Sequence, residues 1–375
     1  MDLTLITSDF PCVGAAMFTR NRFPGAPIIV SHEHLRLAGS RIRAIVVNSG
    51  QANACTGKEG IKAALGMCRA TAERIGCRLQ DVLVSSTGVI GRIPDLKKIQ
   101  AALVTLAPEE SESGWMQAAE GICTTDTRTK TASREIRMGK TRARVLGIAK
   151  GSGMIHPAMA TMLAFVATDA RIGKSDLQRA TKTAVDRSFH CLTVDGDTST
   201  SDSIVVLANG AAGGDVIRGG TPEYKAFTEA LTAVCAELAR EIARDGEGAT
   251  RLVTVAVRNG RTEAEARECA MAIAGSNLVK CAIFGRDPNW GRLACAVGNC
   301  NARYDPQRVV IRIGPTTVFS HGRPAKFQES VVHDYLENNA EIAIHVNLGA
   351  GKETATVWTC DFSYDYVKIN AEYRT

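Results

Sequence analysis

An α/β protein with a strand-rich final third is what the sequence predicts, on two observations. Up to about residue 245, short apolar runs alternate with segments of helical period. Near Gly246 the composition shifts, and β-branched runs follow at Leu252–Val257, Val309–Ile313, Ile342–Val346 and Thr356–Cys360.

In order, Ala44–Val47 reads as a strand stopping at Asn48-Ser49-Gly50. A helix follows on Ile61, Leu65, Cys68, Ala72 and Ile75. Val82–Val84 is a second strand, ending at Ser85-Ser86-Thr87-Gly88. Pro94 is then placed as the first residue of a helix carrying Leu96, Ile99, Ala102 and Leu103. Ile136–Met138 and Ala143–Ala149 flank Gly139-Lys140 as a hairpin. Ser175 is read as the N-cap of a helix with Leu177, Ala180, Ala184 and Phe189 inward, and TVDGDTSTSDS from Thr193 as a polar loop before the strand Ile204–Leu207. Thr221-Pro222 opens the clearest helix, with Phe227, Leu231, Val234, Leu238 and Ile242 on one face.

Composition narrows the function classes. The 375 residues are 45% apolar, enough to bury a sizeable core in two or three subdomains. A net charge of +6 is dispersed and aromatics make up 5%, which argues against nucleic-acid binding. Twelve scattered cysteines with no Cys-x-x-Cys pair read as reduced core residues of a cytoplasmic protein, with no structural zinc. The start, MDLTLITSDF, carries no signal-peptide pattern, and no run suggests a membrane span.

Several familiar motifs fail. Arg134 stands where a phosphate loop ending at Gly139-Lys140-Thr141 needs glycine, and Arg36 stands where a zinc helix built on His32-Glu33 needs its second histidine. No Gly-x-Ser-x-Gly elbow exists, and seven dispersed histidines offer no evident base. These absences favour a nucleophile that carries its own base. The run KGSGMIHPAMATMLAF from Lys150 offers one. Cutting the Ala160–Thr161 bond would give Thr161 a free α-amine with a reference pKa of about 8, a general base near neutral pH. The same run also reads as a buried strand entered through a glycine turn, and the two readings are compatible.

With NSGQANACTG from Asn48, TVDGDTSTSDS, FGRDPNWGR from Phe284 and YDYVKINAEYRT from Tyr364, this run resembles the ornithine acetyltransferase, or bifunctional ArgJ, family over nearly the whole chain. The resemblance implies a self-processing, amidase-like α/β sandwich cut into an α chain 1–160 and a β chain 161–375. Of the latter, 161–245 would complete the sandwich core and 246–375 form a C-terminal subdomain. It implies acetyl transfer from N2-acetylornithine to glutamate, in arginine biosynthesis, through acetyl-Thr161. The Thr87 side chain and Gly88 N–H would form the oxyanion hole. Thr127, Lys150, Thr161, Glu247, Asn370 and Thr375 would contact substrate. Lys150 would meet an α-carboxylate and Glu247 the ornithine ammonium. Taken alone, Lys150 and Glu247 read as solvated surface charges.

The resemblance further implies associated chains forming a heterotetramer, with no metal or organic cofactor. It leaves acetyl-CoA open as a second acetyl donor. An N-terminal-nucleophile amidase or aminopeptidase and an uncleaved non-enzymatic relative are the alternatives. Three departures stand out: an N-terminal stretch preceding the segment that matches Asp2 is expected to be absent, Ala158 replaces an asparagine, and Arg251 replaces a lysine after GEGAT.

Overall fold

The computed structural model describes residues 2–138, 141–156 and 162–372. It divides into two compact units. The first holds the chain up to His190 and Asp197–Leu238, and the second holds Cys191–Gly196 and the chain from Ala239 onward.

The first unit is built, in chain order, from β1 (Leu3–Phe18), α1 (Ala26–Ala38), β2 (Ile42–Gln51), α2 (Gly57–Ile75), β3 (Val82–Val89), α3 (Leu96–Thr105), α4 (Glu112–Gly121), β4 (Lys130–Met138), β5 (Thr141–Lys150), β6 (Leu163–Thr168), α5 (Lys174–Asp186) and β7 (Ser203–Ala208). The helix α6 (Pro222–Arg244) follows, and the division at Ala239 falls inside it. Seven strands form one mixed sheet in the order β3-β2-β1-β7-β6-β5-β4. Successive residues of a strand point to opposite faces, and here both faces are covered. Val46, Val82 and Val84 pack with Met67, Cys68 and Ala72 of α2 and Leu103 of α3. Their neighbours Ile45, Val47 and Leu83 join Ile148, Phe165 and Val205 in a second cluster with Ala119 of α4. Burial on both faces is why these strands are continuous apolar runs.

The second unit holds β8 (Leu252–Gly260), α7 (Glu263–Ala274), α8 (Asn277–Phe284), α9 (Trp290–Gly298), β9 (Val310–Ile313), β10 (Thr316–Ser320), β11 (Arg323–Pro324), α10 (Glu329–Asn338), β12 (Glu341–Asn347), β13 (Glu353–Cys360) and α11 (Tyr364–Glu372). Its six strands run β11-β10-β9-β12-β8-β13, with β8 and β12 parallel. Val253, Val255, Val257, Ile342, Ile344 and Val346 pack with Ala270 and Ile273 of α7 and Leu336 of α10. The expected strands are present, and helices α7 to α11 accompany them. Trp290 stacks on Phe319, ring centroids 5.9 Å apart, so FGRDPNWGR is a helix-to-helix turn with a packed aromatic anchor.

Several local expectations are corrected. Strands β2 and β3 do not stop at their polar residues but run through Asn48-Ser49-Gly50 and Ser85–Gly88. Pro94 precedes α3, because Asp95 takes the N-cap and its carboxylate accepts from the N–H groups of Lys97 and Lys98. Gly173, not Ser175, is the N-cap of α5. The second half of TVDGDTSTSDS is buried, from Ser199 through Ser203. The twelve cysteines form no disulfide, and Cys55, Cys281 and Cys295 are exposed, so a core role does not fit those three. No helix among the described residues is long and apolar enough to cross a membrane.

Candidate active site

Parallel pairing of β2 with β3 sets Asn48 beside Ser86, Ser49 beside Thr87, and Gly50 beside Gly88. The polar side chains here differ in how they are satisfied. Ser86 Oγ donates to Asn48 Oδ1, and Ser49 Oγ donates to the Gly121 carbonyl at 2.9 Å. Thr87 is 1% exposed, yet its Oγ1 has no hydrogen-bond partner among the described residues. Burying a hydroxyl unpaired costs about 1–3 kcal/mol in proteins, so a ligand that accepts from it recovers that cost. Gly88 follows at φ 118°, a conformation glycine adopts without strain.

Lys150, the last residue of β5, pairs with Leu163, the first of β6. It is 2% exposed and donates from Nζ to Thr124 Oγ1 at 2.9 Å, so it is not the solvated charge that the isolated residue suggests. Thr124 opens the TTDT segment. There Thr125 Oγ1 lies 2.6 Å from Ser152 Oγ, and Thr127 lies exposed. The contact to Lys150 therefore comes from Thr124.

Sequence reasoning did not single out Asp126 or Lys130, although both belong to this cluster. Their side chains are fully buried. Asp126 Oδ1 accepts from Lys130 Nζ at 2.6 Å and from Gly151 N–H at 2.7 Å, and its Oδ2 accepts from Thr124 N–H at 3.1 Å. Burial pushes the Asp126 acid upward, but the charges of Lys150 and Lys130 and these bonds outweigh it and hold the carboxyl below the usual range. Lys150 moves the other way, its pKa lowered by burial against the opposing pull of Asp126. The i,i+4 spacing of Asp126 and Lys130 was visible, but nothing marked the pair as buried.

Asp202 is also missed. It closes the polar run before β7, is fully buried, and accepts from the Met162 N–H at 2.8 Å. Its signal was a polar run leading directly into the apolar residues Ile204–Ala208 of β7.

In the second unit, Glu247 sits in the turn after α6 and is 9% exposed, again not a solvated charge. Asn370 of α11, itself exposed, donates from Nδ2 to Glu247 Oε2 at 2.9 Å. The turn packs closely, since a Cβ on Gly248 (φ 69°) would lie 2.4 Å from the Tyr366 nitrogen. Arg251 donates from Nε and Nη2 to the carbonyls of Leu336 and Glu337 at the end of α10. That is a helix-capping use of its planar fork. Ala160, Thr161 and Thr375 lie outside the described residues, as does Ala158.

The ArgJ family model matches residues 1–375. The chain is 45% identical over 374 residues to the arginine biosynthesis bifunctional protein ArgJ of Symbiobacterium thermophilum, covering 100% of this chain and 92% of the relative. Its identity to the protein of the same name from Bacillus subtilis is 43%, covering 100% and 91%. A solved structure of that protein from Bacillus halodurans is similar at 42% identity with a TM-score of 0.54, over 56% of this chain and 98% of the solved chain.

Proposed function

The chain belongs to the ArgJ family, and on that premise we propose that it is a glutamate N-acetyltransferase acting through a threonine freed by self-cleavage. Thr161 Oγ attacks the acetyl carbonyl of N2-acetylornithine while its α-amine takes the hydroxyl proton and passes it to the departing ornithine amine. The amine of glutamate then attacks acetyl-Thr161, giving N-acetylglutamate and the free threonine. Splitting the transfer this way predicts ping-pong kinetics. Before that, the same hydroxyl attacks the Ala160 carbonyl and displaces its own amide nitrogen, giving an ester that water hydrolyses to an Ala160 carboxylate and a Thr161 with free hydroxyl and free α-amine.

The observation that carries this reading is the Thr87 hydroxyl, buried and unpartnered beside Gly88. A donor held in place with no partner in the resting protein is what a developing oxyanion requires. Thr87 Oγ1 and the Gly88 N–H take that role. Lys150, charge-balanced by Asp126, meets the substrate α-carboxylate, with Thr127 on the same segment. Glu247, held by Asn370, takes the side-chain ammonium of ornithine, and Thr375 completes the substrate contacts.

Sheet order supports association after cleavage. The pair β6–β7 sits between β5 and β1, hydrogen-bonded to strands from before residue 160 on both flanks. Separating the pieces would break both ladders. The two chains pair further into a heterotetramer in this reading, in the cytoplasm. Nucleophile, base and oxyanion donors are all protein groups, so the scheme uses no metal or organic cofactor.

The test is product analysis of the purified protein with N2-acetylornithine and glutamate. N-Acetylglutamate and ornithine in equal amounts are expected. Free acetate in place of acetylglutamate would identify a hydrolase, and no turnover would identify a non-enzymatic relative. The same assay with acetyl-CoA in place of acetylornithine asks whether a second donor is accepted.

A further inference from the structure

An N-terminal nucleophile has a mechanical problem that an internal one does not. Once cleavage is complete, the first residue of the new chain is tethered only through the residue after it. Chain ends fray unless tied down, and a displacement of about 1 Å in a reacting group can cost about 100-fold in rate.

Met162 is that tether, and the structure holds it on both sides. Its N–H donates to Asp202 Oδ1 at 2.8 Å, and its carbonyl accepts from the Ser203 N–H at 3.1 Å. Asp202 is itself fixed, since its carbonyl accepts from the Thr19 N–H at 3.1 Å at the end of β1. The parallel ladder of β6 and β7 begins directly afterwards, at Leu163 and Ser203. Met162 is 2% exposed and Asp202 fully buried, so water does not compete for the bond. The other carboxyl oxygen, Oδ2, is buried as well. A buried aspartate carries a desolvation cost that an apolar residue would avoid. Its place here calls for a use beyond packing.

We propose that Asp202 is a positioning residue for the nucleophile, its carboxyl holding Met162 so that Thr161 starts from a fixed point both before and after cleavage. The proposal rests on Thr161 being the nucleophile. Burial holds the Asp202 acid well above the usual carboxylate range, against the Met162 bond and the nearby charge of Lys150. The neutral acid is thereby favoured, and asparagine becomes its close stand-in, with an acceptor oxygen at Oδ1 and a donor in place of Oδ2.

The experiment compares Asp202→Ala and Asp202→Asn, measuring the fraction cleaved by intact mass and kcat and KM per cleaved chain. Alanine removes the acceptor. Slower cleavage and a kcat about 100-fold lower are expected, from misplacement of the reacting group. KM for acetylornithine should stay within about threefold, because groups that bind ground state and transition state equally are untouched. Asparagine should restore kcat to within about tenfold of wild type, since it keeps the acceptor that sets the position.

A wild-type kcat in Asp202→Ala would overturn the proposal. So would a 100-fold loss in Asp202→Asn, which would show that charge and not the held position matters. If the alanine variant does not fold or cleave, the asparagine result alone decides. Thr161→Ala is run in parallel: were it to retain transfer, the nucleophile reading itself would fall. A dead Thr161→Ala beside a wild-type Asp202→Ala would remove Asp202 alone.

Discussion

Gly88 faces Gly50 across parallel strands β2 and β3 with no room for a β-carbon between them: a Cβ on Gly88 would lie 2.4 Å from the Gly50 carbonyl carbon. The obstacle is backbone, which cannot swing aside, and both residues have positive φ, 110° at Gly50 and 118° at Gly88. Close approach of two glycines at the strand ends thus fixes the Gly88 peptide next to Thr87.

Gly88→Ala is therefore expected to lower both stability and transfer. Backbone strain alone costs of order 1–3 kcal/mol, and the overlap adds to it. A thermal melt and a transfer assay read the two losses. A variant with wild-type values for both would show that the strands can part, and would remove the rigid-peptide argument.

Thr87→Val should separate stability from activity. Valine keeps the shape and deletes a buried hydroxyl that has no partner, so the melting temperature should hold or rise. Loss of one oxyanion donor should lower kcat by about 10²–10³, or about 2.7–4 kcal/mol. A parallel fall in melting temperature and activity would make Thr87 a structural residue.

Asp126 gives a prediction in pH. Its folded pKa lies below the usual value of 3.8, so between the two values the unfolded chain binds a proton that the folded chain does not. The stability it contributes is fully present above 3.8 and lost as pH falls through the folded value. Asp126→Asn should flatten that part of the acid-unfolding curve. At pH 7 it should also destabilise by roughly 3–5 kcal/mol, because it removes the carboxylate charge that opposes two buried ammonium groups. Urea midpoints across the acid range, for both proteins, make the comparison.

Glu247→Gln tests substrate reading. Removing a charge-assisted hydrogen bond to the ornithine ammonium should cost about 1.5–3 kcal/mol in kcat/KM for acetylornithine, with a smaller change for glutamate. Equal losses for both substrates would show that Glu247 orders its turn, through Asn370, and does not read the side chain.

Much of the fold was legible where period and burial coincide. Helix α6, with Thr221-Pro222 at its start and Phe227, Leu231, Val234, Leu238 and Ile242 inward, is visible in the pattern alone. The N-caps were less so, because Gly173 caps by backbone conformation and Ser175 only looks like a cap. Polar residues misled wherever they are buried. Asn48, Ser49, Ser85, Ser86 and Thr87 read as strand terminators, whereas they lie within paired strands. For the site, Lys150 and Glu247 were placed by resemblance, but their burial is a tertiary fact. Asp126, Lys130 and Asp202 went unmarked because only the folded chain brings a carboxylate between two lysines, or a carboxyl against Met162 N–H.

In the proposed mechanism acetyl passes through Thr161 at the start of a second chain. Intact-mass analysis of the purified protein, incubated with N2-acetylornithine and then with glutamate, tests it most directly. Two chains are expected, the second beginning at Thr161, one acetyl group heavier after acetylornithine and returned to its starting mass by glutamate. A fully active preparation containing only the uncut chain, or a second chain never acetylated during turnover, would contradict it.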